Sequence, residues 1–199
     1  MSSPAAARGR EVRQRLLATA AELIPERGWT AVSTRVLADR AGVAPSVVHY
    51  HFPSLAALLG EAAIGTLRDL LAVAGEVLEQ ARAPGELSDL LLASVRQYTG
   101  TDSLSLLSVE TYLAATRDPE LGARLAALVA EFRQRLAGLL RAHRVPEPEA
   151  TAAVLAATID GLLLHRALQP ADGGSPGSSG DDALGAVLRR LVTDRPQHD

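Results

Sequence analysis

The chain has 199 residues, 47% of them hydrophobic, which supplies material for a substantial core and does not suit a disordered chain. It contains no cysteine, which excludes disulfides and thiolate metal sites. The net charge of −3 conceals an asymmetry: residues 1–60 hold seven Arg against four acids (+3), and the remainder thirteen Arg against nineteen acids (−6), so phosphate binding is expected of the first third alone.

Helical periodicity dominates from end to end, no run alternates as a strand, and the expected fold class is all-α. Val12, Leu16, Ala20 and Leu23 mark the buried stripe of a first helix. Pro25 should kink or end it before Gly28. Ser33 is placed to cap a short helix over Thr34 to Arg40, and Ala41-Gly42-Val43 reads as a tight turn. Pro45 suits the first turn of a third helix reaching Tyr50 or His51. Phe52-Pro53-Ser54 then stops that helix and caps a long one from Leu55 to about Arg82.

Beyond Ala83-Pro84-Gly85, helices are expected over Glu86 to Thr99, Asp102 to Thr116, Pro119 to His143 and Pro148 to Gln169. Glycine and serine crowd residues 172–181, which read as a flexible loop. A last helix is expected from Asp182 to Thr193. The resulting division is a three-helix head over residues 8–53 and a six-helix body over 54–199. Ala152 to Leu168, the most apolar window, is interrupted by Thr158, Asp160, His165 and Arg166, so no membrane span is expected. The Arg-bearing start lacks the clean apolar run of a signal peptide, and a cytoplasmic address is the simplest expectation.

The block from Ser33 to Phe52 carries the strongest signal. Leu37, Ala38, Val43, Val48 and Phe52 can pack two short helices together, leaving Thr34, Arg35, Pro45, Ser46, His49 and Tyr50 nearer the outside. Small residues at Ala44 and Ser46 let the second helix approach DNA closely, and a helix of this size enters the major groove with its first residues near the base edges. Two core helices of an ordinary bundle are the rival reading.

This block resembles the TetR family of bacterial regulators, whose usual pattern is Gly-Val-Ser-Lys-Gly-Thr-Leu-Tyr-His-Tyr-Phe, a small polar cap and a Lys. The chain runs Gly42, Val43, Ala44, Pro45, Ser46, Val47, Val48, His49, Tyr50, His51, Phe52, Pro53, Ser54, Leu55. Upstream, Glu26-Arg27-Gly28-Trp29 matches the family's Glu-Arg-Gly-aromatic corner. Two positions depart from the pattern: Leu55 stands where a Lys is common, and His49 where Tyr is usual. The resemblance implies a helix-turn-helix head, with DNA contacts among Ser33, Thr34, Arg35, Ala44, Pro45, Ser46, Val47, His49, Tyr50, His51 and Ser54. Within that set, His49, Ser54 and Arg35 are expected on phosphates, and Ser46 and Tyr50 nearer bases. Arg8 and Arg10 are candidates for an arm reaching phosphate or minor groove.

For the body, Thr116 to Leu121 and Asp160 to His165 look like family segments. The last two helices would pair across a twofold axis through Val154, Gly161, Leu162, His165 and Leu168 with Leu184, Leu188 and Leu191. Two heads in a homodimer read a palindromic double-stranded DNA operator. A small apolar effector would lie among Arg96, Tyr98, Glu110, Tyr112 and His165, each of which is equally readable as a core or surface residue. The implied function is a transcriptional regulator, a repressor by usual family behaviour. A helical scaffold whose head has lost DNA binding is the alternative. Asp160 and His165 diverge by helical rotation, His49 and His51 face apart, and no phosphate loop is present, so neither an enzyme, a metal site nor a cofactor is expected.

Overall fold

The computed structural model describes residues 4–168 and 179–193. Among them the chain is helical throughout, in the order α1 (Pro4–Arg27), a 3-10 turn (Trp29–Ala31), α2 (Thr34–Ala41), α3 (Pro45–His51), α4 (Leu55–Leu78), α5 (Pro84–Arg96), α6 (Ser103–Ala115), α7 (Pro119–Ala142), α8 (Pro148–Ala167) and α9 (Ser179–Thr193). The expected all-α order is therefore the observed one.

Local chemistry accounts for most boundaries. Pro25 lies inside the last turn of α1, and the helix stops at Arg27 because Gly28 takes φ 83. Helix α4 ends four residues short of the expected Arg82. Its ladder tightens at Gln80 and Ala81, which donate to Val77 and Leu78 three residues back, and Glu86 then accepts the Arg82 N–H at 2.7 Å. A left-handed Arg144 (φ 58) and Glu147 (φ 44) make the corner between α7 and α8. Of the expected flexible loop at 172–181, residues 172–178 lie outside the described residues, whereas 179–181 belong to α9.

The residues group into two compact units. One comprises residues up to Arg68 with Leu106–Leu125, the other Asp69–Ser105 with the described residues from Ala126 onward. This grouping does not coincide with the expected cut after residue 53, since residues of α4 and α6 share the head's core. Leu16, Ala20, Leu23, Ile24, Leu37, Ala38, Val48 and Phe52 are joined there by Leu58, Leu59, Ala62 and Ala63 of α4 and Leu107 of α6. Trp29 packs, partly buried, against the same core. Burying these apolar surfaces is the main favourable term for a helix as short as α3, which is marginal by itself.

The second unit has its own core. Leu87, Leu91 and Leu92 of α5 meet Leu136 and Leu140 of α7, Ala152 and Leu155 of α8, and Leu188 and Val192 of α9. At Gly185 a side chain would come within 2.8 Å of Leu92, so α9 lies close against α5. Gly100 (φ 85) abuts the end of α8, where a Cβ would fall 2.8 Å from the Leu163 carbonyl oxygen. Arg166 fastens the same place, its Nη1 donating to the carbonyls of Val95 (2.7 Å) and Tyr98 (2.9 Å) at the end of α5.

By length and composition α8 is apolar enough to cross a membrane, so the expectation that no segment qualifies is corrected on that point. Ala152, Leu155 and Ala156 on this helix are buried in the protein, while Val154, Leu164 and Leu168 are exposed.

Candidate nucleic-acid interface

The turn before α3 is built from backbone hydrogen bonds. Ser33 Oγ accepts the Val36 N–H at 3.3 Å and starts α2. At the other end Gly42 adopts φ 68, ψ 37, and its N–H reaches the Ala38 and Asp39 carbonyls while Val43 N–H reaches Ala38 at 3.0 Å. Ala44 is extended, Pro45 occupies the first turn of α3, and the Phe52 N–H closes the helix on Val48 at 3.0 Å. Ser54 Oγ accepts from Ala57 at 3.0 Å and caps α4.

This short helix has two unlike sides. Val48 is buried at 1% exposure and Phe52 at 3%, whereas Tyr50 is 85% exposed. Ser46, His49, Pro45 and Ala44 share the open side, and Val47 and His51 are half-buried at its margins. The rings of Tyr50 and His51 meet edge to face, with centroids 5.1 Å apart. Ser33, Arg35 and Ser54 are exposed and Thr34 half-buried, so every expected contact residue except the two marginal ones and Thr34 is open to solvent. The Ser46 and Tyr50 side is open to solvent among the described residues.

The head's arginines divide by partner. Arg40 Nη2 bonds both carboxylate oxygens of Glu26, at 2.9 and 3.0 Å, and holds the Glu26 carboxyl below its ordinary value. Arg27 joins the same carboxylate at 3.5 Å. Arg13 pairs with Glu61 at 2.7 Å. Arg35 is 88% exposed, with only a loose 3.9 Å approach to Asp39, and retains its freedom to meet a phosphate. Arg8 and Arg10 are exposed within α1, which begins at Pro4, so they form part of a helix and not an extended arm. Leu55, at the position where a Lys is common in the resembled pattern, packs partly buried against the head core. An apolar side chain there serves α4 docking instead of phosphate anchoring.

The residues expected to line a ligand site have diverse surroundings. Glu110 and Tyr112 belong to the first unit, and Arg96, Tyr98 and His165 to the second. Glu110 has a structural task missed in the sequence: its Oε2 accepts the Trp29 N–H at 2.6 Å. Tyr112, Arg96 and His165 are exposed. Tyr98 is half-buried, and burial, then the Asp102 charge, pushes its phenol above the ordinary value. Asp102 itself is pushed up by burial but held lower overall by hydrogen bonds from the Ser105 hydroxyl and the Ser105 and Thr99 N–H groups.

On α8, Val154 and Leu168 are exposed at 49% and 82%, His165 is exposed, and Gly161 and Leu162 are half-buried. Leu188 corrects the expectation for α9: at 4% exposure it faces the core of its own unit. The cause is the helix's tight seat on α5, which takes Leu188 and Val192 inward and leaves Val187 out. The Leu184 and Leu191 side chains lie outside the described residues.

Comparison with known proteins agrees with this geometry. Residues 16–62 match the family model for bacterial regulatory proteins of the tetR family, and residues 82–194 match that for a tetracyclin repressor-like C-terminal domain. BetI of Rhizobium meliloti (strain 1021), an HTH-type transcriptional regulator, is 27% identical over 165 residues, covering 80% of this chain and 79% of BetI. Among solved structures, SCO7518 of Streptomyces coelicolor A3(2) superposes with a TM-score of 0.73 at 31% identity, over 92% of this chain and 99% of that one. The multidrug binding protein EbrR gives 0.64 at 29% identity, over 94% and 98%. With a matching head, a matching C-terminal domain and an open recognition helix, the chain belongs to the TetR family of DNA-binding transcriptional regulators.

Proposed function

We propose that the protein is a homodimeric, cytoplasmic repressor that holds a palindromic operator and releases it when a small apolar molecule binds the C-terminal domain. The observation that carries the DNA-reading part is α3, buried through Val48 and presenting Ser46, His49 and Tyr50 to solvent. Ser46 and Tyr50 read base edges. Arg35, His49 and Ser54 hold phosphates, and Ser33, Thr34, Ala44, Pro45, Val47 and His51 complete the contact surface. One such head offers few contacts, whereas two spaced by about 34–36 Å read consecutive major-groove faces. The exposed Val154, Leu164 and Leu168 side of α8 supports pairing of two copies, with Gly161 allowing close approach.

The effector reading draws support from EbrR, which is named a multidrug binding protein. Arg96, Tyr98 and His165, all of the second unit, are the candidate polar contacts for such a ligand in this chain. Helix α4 begins at the head and, like α6 and α7, contributes residues to both compact units, so it is one covalent route from ligand to head. Ligand binding can move the equilibrium only by its differential affinity for the two states, and a near-complete switch needs about 5.5 kcal/mol.

The test is a titration of purified protein onto the DNA upstream of its own gene at several salt concentrations, with light scattering for oligomeric state. Tight, salt-dependent binding by a dimer, well above binding to random duplex, is expected. A monomer, or equal affinity for random DNA, would overturn the proposal.

A further inference from the structure

Helix α3 is only seven residues long, and Val48 is its one fully buried side chain. Its angle must therefore be set by what grips its two ends. The Gly42 turn holds the first end. At the second, the chain passes at once into Phe52, buried at 3%, and then into the Ser54 cap of α4. Arg13 of α1 lies against this corner. Its guanidinium carbon is 4.7 Å from the Phe52 ring centroid, and its Nη2 donates to Glu61 Oε2 of α4 at 2.7 Å. Both members of the ion pair have 37% of the side chain exposed, so the contact is partly shielded from water.

We infer that Arg13 is a positioning residue for the recognition helix: by stacking on Phe52 and pairing with Glu61 it fixes the corner from which α3 enters DNA, without itself touching DNA. The inference rests on α3 being the helix that reads DNA. A guanidinium suits the task better than an ammonium, since its flat face covers the ring while its edge donates to the carboxylate. Arg13 belongs to the basic cluster of Arg8, Arg10, Arg13 and Arg15, whose other members are exposed on α1. Its charge is committed inward and theirs is not. Glu61 is the informative partner, because a carboxylate in a DNA-binding head is electrostatically unfavourable toward phosphate and its removal should otherwise help binding.

The experiment uses the full-length chain and a duplex enriched by the wild-type protein from a random pool. Affinity for it, and for random duplex, is measured at several salt concentrations for Arg13→Ala, Arg13→Lys, Glu61→Gln and the Arg13→Ala/Glu61→Gln double variant, at a temperature where circular dichroism shows each folded. Positioning predicts that Arg13→Ala and Glu61→Gln each weaken selected-duplex binding by about ten-fold, with random-duplex binding and the salt slope nearly unchanged. The double variant should be little worse than either single one, and Arg13→Lys should recover only part of the loss. If Arg13 instead meets phosphate, its removal lowers the salt slope by about one and weakens all sequences alike, while Glu61→Gln leaves binding equal or tighter. Either of those results overturns the inference, as does unchanged affinity in folded Arg13→Ala and Glu61→Gln. Failure of the wild type to enrich any duplex would instead overturn the reading of α3 on which it rests. Should Arg13→Ala not fold, the half-exposed, shape-conserving Glu61→Gln decides the matter alone.

Discussion

The Glu110 carboxylate accepts the backbone N–H of Trp29 at 2.6 Å, joining α6 to the corner after α1 across 81 positions of sequence. That N–H opens the 3-10 turn Trp29–Ala31 and belongs to no helical ladder of α1, so Glu110 satisfies a donor the local backbone leaves open. Glu110→Ala should therefore destabilise the protein by about 1–3 kcal/mol, the cost of leaving a part-buried donor unmet. Glu110→Gln keeps an acceptor oxygen and should lose less than half as much. Urea unfolding of the three proteins checks this, and an unchanged midpoint for Glu110→Ala would show the bond to be idle.

The two sides of α3 should separate stability from DNA binding. Val48→Ala removes buried methyl groups and should cost about 2 kcal/mol in unfolding free energy. Tyr50→Ala changes a side chain that is 85% exposed and should leave stability within about 0.5 kcal/mol. Its operator affinity should nonetheless fall at least about ten-fold, the scale of one lost base contact. Equal stability losses in the two variants would contradict the assigned faces.

Two left-handed glycines should respond unequally to alanine. Around Gly42 (φ 68) nothing lies within 4 Å of an added Cβ, so Gly42→Ala should cost only the backbone strain of about 1–2 kcal/mol. Gly100 (φ 85) adds a collision with the α8 backbone, which a flexible side chain cannot relieve. Gly100→Ala should cost about 3–5 kcal/mol, strain and overpacking together. Denaturation midpoints in the reverse order would disprove the close approach of Gly100 to α8.

Acid should loosen the Glu26–Arg40 contact in a predictable direction. The hydrogen bond from Arg40 holds the Glu26 carboxyl below the ordinary carboxylate value. A depressed carboxylate contributes stability that is fully present above its unfolded value and disappears as pH falls through the folded one. The pair is exposed and the contribution small. In Arg40→Ala, a carbon-detected NMR titration should show Glu26 returning upward toward the ordinary carboxylate range, and no upward movement would count against the pairing.

The head was legible in the sequence to within a residue or two at most boundaries. Ser33, Gly42, Pro45 and Ser54 act on the backbone within about four residues of themselves, so their types announce their roles. Leu37, Ala38, Val48 and Phe52 likewise followed from periodicity, and each is buried. Body residues were harder to place. Glu110 looked like one more polar group among Ala and Leu, because its partner is distant in the chain. Next to the exposed His165, Arg166 carries the bonds to the end of α5, and no local pattern distinguishes the two.

By itself the sequence determined the order of helices, the reversal at Gly42 and the outward side of α3, since these follow from caps, backbone freedom and a 3.6-residue period. Only the tertiary structure decided that Arg13 meets Glu61 across 48 positions, that Glu110 meets Trp29 across 81, and that α9 turns Leu188 inward. Those outcomes depend on which helix face lands on which neighbour. Helical repeat constrains the faces but leaves their pairing to the packing of the whole core.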